Sequence, residues 1–109
     1  MRTFPQLVAD AGRLSFEGEI DLATVELLQR EAQRQLDEHG PDLVLDLRRT
    51  GFMDSSGLRL IETLARRAAE HGGELVLIVA SYGVRRLLEL APPGPSVRVV
   101  VERPVRLAA

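Results

Sequence analysis

Leu43-Val44-Leu45-Asp46-Leu47, then Phe52-Met53-Asp54-Ser55-Ser56-Gly57, then Leu58, Ile61, Leu64, Ala65 and Ala68 at helical spacing, then Leu75 to Ala80: this stretch decides the fold. Its first and last pieces are nearly continuous apolar runs, the pattern of parallel strands covered on both faces. The middle piece keeps the 3.6-residue period, with Arg59, Glu62, Arg66 and Glu70 on the outer face. Strand, helix and strand over this length make a right-handed βαβ unit.

The rest follows on either side. Phe4 to Ala9 and Arg13 to Glu19 read as two strands around Asp10-Ala11-Gly12, where Asp and Gly suit a hairpin turn. Leu14, Phe16 and Gly18 alternate with Ser15, Glu17 and Glu19, a half-buried pattern. Asp21 offers an N-cap to a helix whose inward stripe is Leu22, Val25, Leu28, Ala32 and Leu36. That helix stops at His39-Gly40, with Pro41 beyond it. Glu38-His39-Gly40-Pro41-Asp42-Leu43-Val44-Leu45 weakly repeats as Glu70-His71-Gly72-Gly73-Glu74-Leu75-Val76-Leu77. Tyr82 to Leu90 reads as a shorter helix with Val84, Leu87 and Leu88 inward. Ala91-Pro92-Pro93-Gly94-Pro95 is a loop, Val97 to Glu102 a last strand, and Pro104 argues against a long helix after it. The order ββαβαβαβ predicts a single α/β domain over 1–109: a mixed, mainly parallel sheet of about five strands with helices packed against it.

Composition narrows function. The 109 residues are 45% apolar, enough for one domain with a core of its own. No run approaches the roughly 20 apolar residues of a membrane span. The first residues lack the apolar run of a signal peptide, which predicts a cytoplasmic protein. Net charge is −2, with no lysine at all, so neither nucleic acid nor an anionic membrane is an expected partner. The count of zero cysteines excludes disulfides, thiol catalysis and cysteine-based metal sites.

Chemistry concentrates in one loop. In open α/β sheets, functional loops gather beyond the carboxyl ends of the parallel strands. Residues 48–57 form such a loop, and Asp21 lies in another. If their strands are neighbours, Asp21 and Asp54 share a face with Ser55. On pattern alone, Asp54-Ser55-Ser56 reads as an acidic, well-capped helix start. The second hydroxyl raises the question of a modification site. Neither serine has the glycine two residues earlier that a nucleophile elbow needs. His39 and His71 sit at helix ends, where they complement negative helix termini and form no metal or catalytic pair with this loop. A phosphate loop is impossible without lysine. The arginine pairs Arg48-Arg49, Arg66-Arg67 and Arg85-Arg86 read as solvated surface, with Arg48 and Arg49 placed for a partner contact beside the loop. Phe4, Phe16 and Tyr82 fit core or strand-end places, which leaves Phe52 as the aromatic beside the motif.

Phe52-Met53-Asp54-Ser55-Ser56-Gly57-Leu58, after Val44-Leu45-Asp46-Leu47, resembles the signature of bacterial anti-sigma factor antagonists of the STAS domain type. Gly18-Glu19-Ile20-Asp21, Gly72 to Leu77 and Val84 to Leu88 fall where that family has similar segments, so the resemblance spans about residues 13 to 90. It implies a partner switch. The unphosphorylated antagonist binds an anti-sigma factor that is a serine kinase, and a sigma factor is released to direct transcription, as in a stress response. The kinase phosphorylates the antagonist, which lets go, and a serine phosphatase restores it. By motif position the phosphoacceptor is Ser55. The implied partner-binding residues are Asp21, Phe52, Met53, Asp54, Ser56, Gly57 and Arg59, with no catalytic residue, metal or cofactor. The alternative is a STAS scaffold in a signalling or lipid-transport complex that never cycles through phosphate; an enzyme lacks a nucleophile–base pair. Near Ala91–Pro95 the chain departs from the family pattern. A closing helix looks absent or reduced to one turn, which predicts one sheet face less covered than usual.

Overall fold

The computed structural model describes residues 5–103. The expectations resting on Phe4 and Pro104 lie outside them. The elements are β1 (Gln6–Asp10), β2 (Arg13–Glu17), α1 (Val25–His39), β3 (Leu43–Arg49), α2 (Ser55–Glu70), β4 (Leu75–Val79), α3 (Tyr82–Leu90) and β5 (Val97–Val101). The strands form one sheet in chain order, β1-β2-β3-β4-β5. The β1–β2 hairpin is antiparallel and every later pairing is parallel, so the sheet is mixed and mainly parallel, as expected. The hairpin turn places Ala11 and Gly12 at positive φ. Among the described residues, no helix is long and apolar enough to cross a membrane.

β3 sits at the centre of the sheet. Leu14 and Phe16 of β2, Leu43, Leu45 and Leu47 of β3, and Leu75, Leu77 and Val79 of β4 all point to one face, each at most 1% exposed. They meet Leu28, Ala32 and Leu36 of α1, Ile61, Leu64, Ala65 and Ala68 of α2, and Val84 and Leu88 of α3 in one cluster. A leucine sealed this way contributes about 1.5–3 kcal/mol relative to exposure, so this layer dominates the stability of the fold.

Coverage of both faces by helices, expected from the apolar runs, is corrected for the described residues. All three helices join the single cluster, and the opposite face carries Ser15, Val44, Asp46, Arg48, Val76, Ile78 and Val100. Asp46 is only 7% exposed there because arginines cover it. Arg13 Nη2 donates to Asp46 Oδ2 at 2.9 Å and Arg48 Nη2 at 2.7 Å. Burial pushes the Asp46 carboxyl up, but bonds from the Arg48 side chain and amide and from Arg13 outweigh it and hold the group below its ordinary 3.8. Arg48 also reaches Glu102 at 3.3 Å. Arg48 is thus held by ion pairs of its own chain beside the loop.

The start of α1 differs as well. Asp21 does not cap the helix directly. Its Oδ1 accepts from the amides of Ala23 (2.9 Å) and Thr24 (3.2 Å), closing a turn before the helix begins at Val25. Leu22 is therefore outside the stripe and 80% exposed. Gln35 takes a core place that the outer-face pattern did not suggest: its Oε1 accepts from the Gly12 amide at 2.9 Å and ties α1 to the hairpin turn.

Candidate functional site around Ser55

β2 and β3 are neighbours, so the loops that follow them are brought together. Past the end of the ladder, Ile20 and Met53 form one more parallel bridge. The Ile20 amide donates to the Phe52 carbonyl and the Asp54 amide to the Ile20 carbonyl, both at 3.0 Å. The Asp21 turn is thereby fixed against the Asp54–Ser55 loop, as the neighbour-strand reasoning required. On the other side, the Ser81 hydroxyl donates to the Thr50 carbonyl at 2.9 Å, and a side chain at Gly83 would meet the Gly51 carbonyl at 3.2 Å. The loop is clasped between the starts of α1 and α3.

Ser55 is the first residue of α2 and is exposed. Asp54 is the N-cap. Its Oδ1 accepts from the Ser56 amide at 2.8 Å and from the Ser56 hydroxyl at 2.5 Å. The Ser56 hydroxyl holds the Asp54 carboxyl below its ordinary 3.8, against some rise from burial, with help from the Ser56 and Gly57 amides and the Arg59 charge. The two serines thus divide the work: Ser56 is buried in the cap and Ser55 faces solvent.

Gly57 is required by close approach. A Cβ there would lie 2.2 Å from Met53 Cγ and 3.1 Å from Ile20 Cγ2. The helix start rests directly on Met53, which is 4% exposed and part of the core. Met53 is accordingly corrected from a surface contact to a floor under the site. Ser56 and Gly57 likewise shape the site from within. Phe52 is 50% exposed and Arg59, four residues beyond Ser55 on one helix face, is exposed too.

Two residues were missed by sequence reasoning. Leu22, at 80% exposure, lies in the turn before α1 and Tyr82, at 75%, opens α3, on the two loops bonded to the one that carries Phe52. Tyr82 takes no core place. The only available signal was that each follows a small polar capping residue, Asp21 or Ser81, at a helix entrance. A leucine, a phenylalanine and a tyrosine are thus left exposed on loops that gather at one end of the sheet, and aromatic side chains of this kind are enriched at interaction surfaces. Among the described residues, no group of three His, Asp or Glu could hold a metal ion. His39 ends α1, and the His71 ring sits 3.0 Å from the Arg67 carbonyl at the end of α2, both as expected.

The family model described as STAS domain matches residues 6–100. The chain belongs to the STAS domain family. Over 75 residues it is 33% identical to BtrV of Bordetella bronchiseptica, named as an anti-sigma factor antagonist. That alignment covers 69% of the chain and 65% of the relative, just under two thirds of its length. The fold is shared with an anti-sigma factor antagonist from Mycobacterium paratuberculosis, at TM-score 0.75 and 21% identity over 89% of this STAS chain and 84% of that one. It is also shared with the anti-sigma factor antagonist SpoIIAA in its unphosphorylated form, at TM-score 0.70 and 23% identity over 91% and 90% of the two chains. The phosphorylated form of SpoIIAA, a Bacillus cell fate determinant, matches at TM-score 0.64 and 22% identity over 91% and 93%.

Proposed function

We propose that this STAS domain is an anti-sigma factor antagonist that binds a serine-kinase anti-sigma factor, so releasing a sigma factor, and is switched off by phosphorylation of Ser55. The observation that carries the reading is the division between the two serines. Of the two, only Ser55 offers an exposed hydroxyl, on a helix start whose loop carries the exposed Phe52 and is held against the loops that carry the exposed Leu22 and Tyr82. The names of BtrV and SpoIIAA support the same role.

The geometry gives the switch a physical basis. In the unmodified chain the partner covers Leu22, Phe52 and Tyr82, and Ser55 sits inside the covered area. A helix N-terminus accommodates phosphate, so modification leaves the monomer folded. The cap position is already filled by the Asp54 carboxylate, so the phosphate projects outward. It adds about −1.5 to −2 charge beside a carboxylate held ionised. Arg59 offsets part of that charge in the free chain. At a closed interface the charge must be desolvated against like charge, and a loss of about 3 kcal/mol is roughly 100-fold in affinity.

The test is to incubate the purified chain with its cognate anti-sigma kinase and ATP, follow intact mass, and map the modified peptide. One phosphate on Ser55, with loss of the complex, is the expected result. No phosphorylation, with the complex intact in the presence of ATP, would favour a phosphate-independent scaffold instead.

A further inference from the structure

β5 is an open sheet edge among the described residues, and its outer side has a definite backbone parity. The Leu75 amide donates to the Ser96 carbonyl and the Glu102 amide to the Val79 carbonyl, so the even-numbered residues of β5 turn their backbone groups toward β4. By alternation, Val99 and Val101 aim their amides and carbonyls away from the sheet. The Val97 amide is turned back to the Gly94 carbonyl at 3.1 Å. The side chains of Val99 and Val101, 38% and 55% exposed, line a groove of about 370 Å³ with Val79, Leu88, Pro92 and Pro93. A hydrophobic edge strand of this kind invites pairing with another strand.

Its sequence selects the partner. Val97-Arg98-Val99-Val100-Val101-Glu102 is self-complementary when read antiparallel about Val100. In that register Arg98 lies opposite Glu102 of a second copy, and Glu102 opposite its Arg98. Val99 lies opposite Val101 twice, with both residues in the outward-pointing phase that antiparallel hydrogen-bonded pairs require. A register centred on Val99 keeps the backbone parity but sets Arg98 against a valine. Within each chain Arg98 is paired with Glu74 at 3.1 Å and Glu102 with Arg48 at 3.3 Å, so the facing Arg98 and Glu102 would extend these two pairs into a four-charge network across the seam, and a two-fold axis doubles every contact.

We propose that β5 pairs with β5 of a second copy of this chain, antiparallel and centred on Val100, joining two five-stranded sheets into one continuous sheet. The inference goes beyond the antagonist reading and does not depend on it.

The chain has no cysteine, so a single introduced thiol reports the register. In the centred pairing the two residues at 100 are a non-hydrogen-bonded pair with Cα atoms about 4.5 Å apart, within disulfide reach. Val100→Cys should cross-link to a dimer under mild oxidation, whereas Arg98→Cys and Glu102→Cys should not. Sedimentation equilibrium of the cysteine-free chain should show a concentration-dependent dimer. Arg98→Glu should weaken it at least tenfold, and Arg98→Glu with Glu102→Arg should recover most of that loss. Val99→Pro removes an outward amide without touching the β4 ladder and should leave a folded monomer. Thermal melts of each variant separate loss of folding from loss of pairing. Cross-linking at 98 or 102 but not at 100 would overturn the register. A chain that stays monomeric up to about 1 mM, or a dimer untouched by Val99→Pro in a folded variant, would overturn the proposal.

Discussion

The Ser56 hydroxyl donates to Asp54 Oδ1 at 2.5 Å, so that of the two adjacent serines one is spent on the helix cap and the other is left to solvent. Phosphopeptide mapping should therefore give opposite results for the two. Ser55→Ala should abolish phosphorylation by the cognate kinase. Ser56→Ala should keep it, while losing about 1 kcal/mol of stability with the cap bond. Phosphate found on Ser56 in the folded chain would break this division.

Ser55→Asp should leave the melting temperature level or slightly raised. A carboxylate in the first turn of a helix gains about 0.3–1 kcal/mol from the helix N-terminus. Calorimetry with the kinase partner should show weaker binding, because the new charge lies beside Asp54 at the interface. Equal affinity for wild type and Ser55→Asp would sink the charge mechanism.

Leu22→Ala, Phe52→Ala and Tyr82→Ala should each reduce partner affinity about tenfold or more with little change in melting temperature, the behaviour of exposed apolar anchors. Met53→Ala should do the reverse and destabilise the fold by about 2–5 kcal/mol, as core truncations do. A melting temperature that collapses for Phe52→Ala would reassign that residue to the core.

Gly57→Ala should cost about 1–3 kcal/mol, since the added methyl would overlap Met53 and force the helix start to shift. Alanine's better helix propensity, worth about 1 kcal/mol, offsets part of this. Paired with Met53→Ala, which removes the overlapping Sδ and Cγ, the alanine should cost less than it does alone, a coupling that a double-mutant melt series reads directly.

Asp46 and Asp54 both have lowered folded-state pKa values, so the unfolded chain takes up their protons first as pH falls. Their contribution is complete above the ordinary carboxylate value of 3.8 and is lost as pH drops through the lowered folded values. Asp46→Asn should flatten the acid limb of a stability–pH curve. At neutral pH it should cost roughly 1–3 kcal/mol, because Arg13 and Arg48 lose an ionised acceptor. An unchanged acid limb in Asp46→Asn would show that the ion pair carries no pH dependence.

The strands and helices were legible because Leu45, Leu77, Ile61 and Leu64 repeat at the periods of strand and helix. Leu22 was not, since it continues the α1 stripe at the right spacing and only the Asp21 turn removes it from the helix. Between Phe52 and Met53 no period exists, and the bridge to Ile20 decides which faces inward. The open face was masked by chemistry. Val44, Val76 and Ile78 look like residues under a second layer, and Asp46 looks too polar to be covered by anything but a partner, yet Arg13 and Arg48 of the same chain supply that cover. The place of Ser55 at a helix start followed from the strand–loop–helix order, whereas which of the two serines faces solvent is decided by the bonds of Ser56 to Asp54.

The Ile20–Met53 bridge and the Ser81–Thr50 hydroxyl bond grip the Ser55 loop at both shoulders. Amides clasped in this way open only with the sheet itself, so those of Ile20 and Asp54 should exchange with deuterium almost as slowly as the strand interior. Under the proposed switch, a kinase and a phosphatase would then meet the same unmoving stage, and what would tell one state from the other is charge read on a fixed shape.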